Sequence, residues 1–290
     1  MVRPDLIVVG DLMVDVSVEA GALARGGDVH GEVRLRPGGA GANAAVWAAA
    51  EGARVRLYGR VGGDMAGHLV CRALEERAIE AVVVIDRSGR TGAMLVVREA
   101  GDRSMVADRG ANASLSPDDL PRALAADAVL VSGYLLFGAG SNAAARAALE
   151  RADGAWVAVD AASWPLIESF GADRFLSETR TANLLLANEA EARSLSGGVS
   201  EAAAAARRLA GSYDETVVKR GAAGAVAVRR GGDVTAVGAP AVDVADPTGA
   251  GDAFDGVFLA ARALGAGLEE ALERACAAGA RAAASPDVWP

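Results

Sequence analysis

Two carboxylates bracket a run of small residues near the end of the chain. Residues 246–254 read Asp-Pro-Thr-Gly-Ala-Gly-Asp-Ala-Phe, and an apolar stretch follows at 257–261. Glycines let the backbone turn tightly, and the first turn of a helix presents unsatisfied N–H groups and a positive dipole end, which suits a phosphate. Asp252 could take the proton of a hydroxyl that attacks such a phosphate. The backbone amides of Gly249, Ala250 and Gly251 would form an anion hole, a group of N–H donors that binds the phosphate.

A second glycine-rich block lies near the N-terminal end. Residues 37–45 read Pro-Gly-Gly-Ala-Gly-Ala-Asn-Ala-Ala and run into an alanine-rich stretch that predicts a helix to about residue 51. Paired glycines let a substrate approach the main chain, and the Asn43 amide offers a donor and an acceptor to hydroxyl groups. Taken singly, each block is also explained by a capped helix that follows a glycine turn.

The two blocks, about 200 residues apart, resemble the N-terminal and C-terminal signatures of the ribokinase-like family, also called the phosphofructokinase-B family of sugar kinases. The resemblance covers essentially the whole chain. It implies a three-layer α/β/α sandwich with a mostly parallel central sheet and a small β-sheet lid, in a single catalytic domain over residues 1–290. It also implies an ATP-dependent, magnesium-requiring kinase that transfers the γ-phosphoryl group to a primary hydroxyl of a small carbohydrate.

The resemblance assigns the substrate hydroxyls to four residues. Asp11 follows the apolar run at 6–9, and Asp15 lies four residues further on. An ionised carboxylate can accept hydrogen bonds from two hydroxyls at once. Gly39 and Asn43 would complete this part of the site. In the alternative interpretation, Asp11 is a turn residue and Asp15 lies on a solvated strand face.

The nucleotide and its metal are assigned to two later segments, at 184–191 and 217–225. The residues that the resemblance implies there are Asn188, Glu191, Lys219, Gly221 and Gly224. In the family, the Asn-x-x-Glu element helps to hold magnesium through water, although a first-turn glutamate also favours the helix dipole. The single lysine of the sequence would contact phosphate, and its alternative is a solvated cation at a strand end.

A potassium site is a further implication of the resemblance. Asp246 and Thr248 could supply oxygen atoms to it. The tail at 285–290 is shorter than in many family members, which is the main departure from the family pattern.

Composition excludes several other classes. The formal net charge of −9 argues against a nucleic-acid partner, because a binding face must neutralise phosphates. Two histidines leave almost nothing for a zinc site or a histidine-based triad, and Cys71 and Cys276 are expected to be reduced and buried. The sequence has no run of about 18 apolar residues and no secretory signal pattern, so we expect a cytoplasmic protein without a membrane partner.

Short apolar runs alternate with helical patterns, as a parallel sheet with helices on both faces requires. Strands are predicted near residues 5–9, 54–58, 81–85, 127–131, 155–160, 183–187 and 215–218. Helices are predicted over 65–77, 141–152, 200–210, 252–264 and 269–284. The glycine fingerprints of a dinucleotide-binding Rossmann enzyme and of a P-loop kinase are both missing, which disfavours those two classes.

Residues 13–38 and 91–109 show a period of two instead. We expect them to form the lid over the sugar site, where closure would exclude water from the γ-phosphate. An exposed apolar face on this lid would invite a second copy of the chain, and members of the family often dimerise there. The candidates for this face are Val14, Val16, Val33, Leu35, Met94 and Val96.

The substrate is expected to be of the ribokinase type, and residues 108–112 are closest to such sequences. A nucleoside kinase and a 2-keto-3-deoxygluconate kinase stay open as alternatives. The lid ranges contain no Phe, Tyr or Trp to stack on a base, although Tyr134 or Trp164 could contribute a ring. An acidic sugar could be clamped by the arginines at 34, 36, 98, 103 and 109. A non-catalytic sugar or nucleotide sensor on the same fold is the alternative of another class.

Overall fold

The computed structural model of the protein describes residues 3–99 and 102–290. The longer strands before residue 110 are β1 (Asp5–Val9), β2 (Met13–Ala20), β3 (Gly31–Gly38), β4 (Arg54–Gly62), β5 (Glu80–Asp86), β6 (Gly92–Glu99) and β7 (Asp102–Asp108). The later strands are β8 (Leu124–Ala125), β9 (Ala128–Ser132), β10 (Ala152–Asp153), β11 (Trp156–Asp160), β12 (Leu184–Asn188), β13 (Glu215–Lys219), β14 (Ala225–Arg229) and β15 (Val234–Val237).

Ten α-helices lie between or after these strands in the described ranges. They are α1 (Ala40–Ala50), α2 (Met65–Glu75), α3 (Tyr134–Phe137), α4 (Asn142–Arg151), α5 (Trp164–Phe170), α6 (Ala172–Glu178), α7 (Glu189–Leu195), α8 (Ala202–Leu209), α9 (Ala250–Ala263) and α10 (Leu268–Ala284). Within the same ranges, no helix is both long and apolar enough to cross a membrane.

The central sheet has the strand order β15-β14-β13-β12-β11-β9-β1-β4-β5. The strands from β13 to β5 are parallel, as the alternating pattern predicts, and β14 and β15 are added antiparallel at one edge. These two edge strands were not predicted. A short helical turn at Gly221–Ala223, followed by Gly224 at a φ of 87°, returns the chain as a hairpin instead of leading into a crossover helix.

Alternation along each central strand divides the core into two layers. In β1, Leu6 and Val8 join an apolar cluster with residues of α1, α9 and α10, whereas Ile7 and Val9 join a second cluster with residues of α4, α7 and α8. Successive side chains point to opposite faces of a strand, so a run of apolar residues buries both faces. The result is the three-layer α/β/α sandwich, in which the carboxyl ends of the parallel strands meet at one edge.

The small sheet has the order β3-β2-β6-β7 and matches the ranges expected for the lid. Its β2–β6 pair is parallel and its other pairs are antiparallel. The register places Asp15 opposite Arg36 and Met94, so these three side chains share the face that carries the predicted substrate carboxylate.

The apolar face of the small sheet differs from the predicted one. Val14 and Val96 are buried, and the register puts Met94 and Val96 on the Asp15 face, because paired positions share a face. The opposite face is the exposed one. Its most exposed members are Val33 (58%), Leu35 (62%), Leu95 (37%) and Val106 (64%).

Candidate active site

The two glycine-rich blocks meet in a single hydrogen bond. Asp252 lies in the first turn of α9, and its Oδ2 accepts from Nδ2 of Asn43, a buried residue of α1, at 2.8 Å. Gly249 precedes the helix in the left-handed region, at a φ of 77°, and a Cβ at that position would collide with Val288. The turn therefore requires glycine immediately before α9, the helix whose first turn carries Asp252.

Asp252 is held in an environment that favours its protonated form. Burial raises the pKa of its carboxyl to about 7; the Asn43 hydrogen bond and Lys219 oppose the shift, while Asp160 and Asp15 add to it. A carboxylate whose pKa lies near neutral can take a proton from a hydroxyl and give it up again. Of the three amides predicted to form the anion hole, that of Ala250 donates a 3.3 Å hydrogen bond to the Pro247 carbonyl in this structure.

A cavity of about 610 Å³ opens beside Asp252 at the carboxyl edge of the central sheet. The predicted nucleotide residues all line it, namely Asn188, Glu191, Lys219, Gly221 and Gly224. Asp252 and Gly251 form part of the same wall. The structure therefore brings together residues that lie in three separate segments of the sequence.

Lys219 is not the solvated cation of the alternative interpretation. Its Nζ contacts Oδ2 of Asp255 at 2.8 Å and Oδ1 of Asp160 at 3.2 Å, in a largely buried cluster. Burial alone would lower the pKa of Lys219, but the carboxylates of Asp160, Asp255 and Glu191 together raise it. The ammonium group is therefore charged, and it donates hydrogen bonds to the buried carboxylates of Asp160 and Asp255.

Asn188 and Glu191 form a capping box at the start of α7. The backbone N–H of Glu191 donates to Asn188 Oδ1 at 3.0 Å, and the backbone N–H of Asn188 donates to Glu191 Oε2 at 2.8 Å. Burial raises the pKa of Glu191 to about 7, and Asp160 adds to the shift while Lys219 opposes it. The helix-start role is thus present, and the role toward magnesium stays a prediction.

At the other end of the site, Asp11 is buried and paired. Arg109 donates to both of its oxygens, at 2.9 and 2.8 Å, and a further guanidinium nitrogen reaches Ser141 at 3.0 Å. Gly39 has a φ of 97°, and a Cβ there would collide with the Asp11 carbonyl. This glycine therefore allows the close approach of the loop after β1 to the start of α1.

Asp15 lies beside the predicted potassium residues. Burial and the nearby Asp246 raise the pKa of the Asp15 carboxyl to about 6. Although burial opposes it, hydrogen bonds from Thr248 and Arg98 hold the pKa of Asp246 below its usual range. Thr248 donates from both its amide (3.0 Å) and its hydroxyl (2.7 Å) to Asp246. Among the described side chains, no three acidic, histidine or cysteine groups converge into a metal cluster.

The arginines considered for an acidic substrate have internal partners. Arg109 pairs with Asp11, Arg98 with Asp246, Arg36 with Asp287 and Arg34 with Glu32. The Arg103 side chain lies outside the described residues. The four described arginines thus each form an ion pair within the chain, which weakens the acidic-sugar hypothesis.

Sequence reasoning did not single out Asp160, Asp255 or Trp289. Asp255 follows Asp252 by about one helical turn and lies in an otherwise apolar stretch, and a charge at a buried position was the available signal. Trp289 belongs to the C-terminal tail and donates from its indole Nε1 to Asn43 Oδ1 at 2.8 Å. Only the folded chain reveals that the tail reaches this site.

Cys71 and Cys276 are both free thiols, half-buried and buried respectively.

Comparison with known proteins gives a consistent result. The model of the pfkB family carbohydrate kinases matches residues 3–288. Ribokinase from Mus musculus is 29% identical over 284 residues, which span 93% of this chain and 85% of that protein.

Solved structures share the fold over nearly the whole chain. Adenosine kinase from Sinorhizobium meliloti has a TM-score of 0.87 at 23% identity, with 100% of this chain and 96% of that chain covered. A putative ribokinase II from E. coli, in complex with ATP and Mg²⁺, has a TM-score of 0.86 at 22% identity, with coverage of 98% and 94%. The fold, the joined signatures and the family match lead to one conclusion: the chain belongs to the pfkB family of carbohydrate kinases, phosphotransferases whose acceptor is an alcohol group.

Proposed function

We propose that the protein is an ATP-dependent, ribokinase-type sugar kinase in which Asp252 is the general base. Asp252 accepts the proton of a primary hydroxyl as the hydroxyl oxygen forms its bond to the γ-phosphorus of ATP. The bond between that phosphorus and the β,γ-bridging oxygen breaks, and ADP leaves with the electron pair. The observation that carries this proposal is the placement of Asp252, bonded to Asn43, on the wall of the 610 Å³ cavity.

The cavity fits a nucleotide in size and in lining. Its volume of about 610 Å³ is within the usual range for a small-molecule site, and Gly221 leaves room on its wall for a flat base or a phosphate, because a Cβ there would contact no other atom. The ammonium group of Lys219 places a positive charge next to Gly251, at the start of α9. The backbone amides of Gly249, Ala250 and Gly251 would donate hydrogen bonds to the phosphoryl group during its transfer, since a helix start binds anions.

The charge balance of the site fits a magnesium ion. Asp160, Glu191, Asp252 and Asp255 place four carboxyl groups around the single ammonium of Lys219. Glu191, through water, and Asn188 would hold the ion, which when bound neutralises charge on the phosphates. Potassium bound near Asp246 and Thr248 would have to compete with the hydrogen bonds that Asp246 already accepts from Thr248 and Arg98.

The sugar would lie between the central sheet and the small sheet. Asp11, held by Arg109, and Asp15, on the inner face of the small sheet, would accept its hydroxyls with help from Gly39 and Asn43. Asn43 keeps one amide hydrogen and one lone pair for this purpose after bonding Asp252 and Trp289. The internal pairing of the arginines favours a neutral sugar over an acidic one, and the ring-free lid favours it over a nucleoside.

The remaining parts of the proposal concern organisation. Residues 1–290 would act as one catalytic domain, with the small sheet as its lid, in a cytoplasmic homodimer. The exposed face around Leu35 and Val106 supports the dimer, because a monomer rarely leaves a contiguous apolar sheet face in water.

A substrate panel tests the proposal. ADP release from ATP and Mg²⁺ would be measured with ribose, fructose, 2-keto-3-deoxygluconate, adenosine and pseudouridine, with Asp252→Asn as the blank. We expect turnover of ribose or a similar neutral sugar that disappears in the variant. Turnover of adenosine alone would favour a nucleoside kinase. Binding of sugar and ATP without any turnover would favour the sensor and contradict the proposal.

A further inference from the structure

The C-terminal tail returns from the end of α10 to the catalytic helix. Val288 and Trp289 are buried, although only two residues and one residue, respectively, follow them in the sequence. The Val288 carbonyl accepts a 2.9 Å hydrogen bond from the Trp47 indole, and the Trp289 ring lies under the Arg77 guanidinium at 4.9 Å. The tail is therefore anchored at two independent points.

Trp289 determines which way the Asn43 amide faces. An indole N–H can only donate, so the Asn43 atom that it contacts at 2.8 Å must be the oxygen. The amide nitrogen is then directed to Asp252, to which it donates at 2.8 Å. The two ends of this amide are nearly equivalent in shape, so without the indole donor a rotated Asn43, which presents its oxygen to the Asp252 carboxyl, would be populated more.

We infer that Trp289 is a positioning residue for phosphoryl transfer, because it fixes the orientation of Asn43 and thereby the carboxylate of Asp252. The inference rests on the proposed role of Asp252 as the base. Trp289 itself would contact neither the sugar nor the nucleotide, and it would act only through Asn43.

We expect the other charged groups around Asp252 to stay in place when Trp289 is changed, because none of them lies on the C-terminal tail. These are Asp160 of β11, Lys219 of β13, Asp15 of β2 and the Asp255 carboxylate one turn along α9, and the Tyr134 hydroxyl of α3 faces the same group. Of the groups acting on Asp252, the Asn43 amide is the one that contacts Trp289. A change in the titration of Asp252 would therefore report the orientation of that amide.

The test compares Trp289→Phe with Trp47→Phe. Each variant keeps an aromatic ring and removes one indole N–H; the first bond reaches Asn43 and the second reaches only the Val288 carbonyl. Two quantities would be measured: the pH dependence of kcat with the sugar identified by the panel, and the titration of the Asp252 carboxyl by ¹³C NMR. The Asp252 signal is assigned by its absence in Asp252→Asn.

In Trp289→Phe we expect kcat at pH 7 to fall by about tenfold, with KM for the sugar nearly unchanged. The acid limb of the profile and the Asp252 titration should move to higher pH, because a donor to the ionised carboxylate is lost. Trp47→Phe should move both less, because it removes a bond to the tail but leaves the Trp289 indole donor to Asn43. Equal shifts in the two variants, or an unchanged titration in Trp289→Phe, would overturn the inference. The NMR titration needs no turnover, so it separates this inference from a failure of the proposed function.

Discussion

The two sheets hold their charged side chains in opposite ways. At the carboxyl edge of the central sheet, Asp160, Lys219 and Asp255 bond to one another in a largely buried cluster. On the small sheet, Arg34 and Glu32 form a pair whose side chains are 44% and 55% exposed. An exposed ion pair contributes about 1 kcal/mol or less to the free energy of unfolding. Breaking a buried pair costs more, because the remaining charge has neither a partner nor water around it. We therefore expect changes in the buried cluster of the central sheet to cost more than changes at the exposed positions of the small sheet.

The largest effect should come from breaking the buried cluster. Lys219→Met leaves two carboxylates without their partner, and we expect it to lower the free energy of unfolding by about 3–5 kcal/mol. Urea denaturation followed by circular dichroism measures this loss. Adding Asp255→Leu should restore part of the stability, because one of the two unpaired carboxylates is then removed as well.

Arg229→Met on the neighbouring strand is the matched control. Its partner, Glu215, is equally buried but keeps Arg262 at 3.5 Å, so little stability should be lost. Equal losses from Lys219→Met and Arg229→Met would contradict the view that an unpaired buried charge is the cause.

Asp252→Asn should have the next largest effect, and on turnover instead of folding. Removal of the base should lower kcat by about two orders of magnitude or more, while calorimetric binding of sugar and ATP stays nearly unchanged. The amide has almost the shape of the carboxylate, so the fold should persist. A variant with full activity would remove Asp252 from the mechanism.

The pH dependence of the wild type should have two parts. Because the pKa of Asp252 is raised to about 7, kcat should rise as the pH increases through about 7 and the base becomes ionised. Stability should run the other way. Between about pH 4 and 7 the folded state holds protons that the unfolded chain has lost, so the free energy of unfolding falls as the pH rises.

Asp252→Asn separates this contribution from those of Glu191 and Asp15, whose pKa values are raised to about 7 and about 6. The variant should lose less stability between pH 5 and pH 8 than the wild type does. Parallel pH profiles of unfolding for the two proteins would mean that the Asp252 carboxyl is not perturbed.

The smallest effect on stability should come from the outer face of the small sheet. Leu35→Glu changes a side chain that is 62% exposed, so unfolding should change by only about 0.5 kcal/mol, while a dimer should dissociate. Light scattering measures the mass in solution. Ile85→Glu, at an exposed apolar position of the central sheet, is the control and should leave the mass unchanged. Dissociation by Ile85→Glu alone would place the interface elsewhere.

Local patterns were sufficient to predict most of the fold. The predicted central strands and six of the helices agree with the structure to within a few residues, because apolar runs, periodicity and glycine turns act over short stretches of chain. The edge hairpin of β14 and β15 was missed, since a glycine turn does not by itself say whether a helix or a strand follows. The face assignment of Met94 and Val96 was wrong because it depends on register, which is a property of paired strands.

The sequence by itself determined the family and the two signatures and singled out Asp252 as the candidate base, because these depend on residue types at fixed short spacings. The tertiary structure decided the partners: Asn43 for Asp252, Arg109 for Asp11, Asp255 for Lys219 and Trp289 for Asn43. Except for Lys219 and Asp255, these partners lie about 100 residues or more apart in the chain. Their meeting follows from the parallel sheet, which gathers the ends of distant strands at one edge, and from the return of the tail across α1.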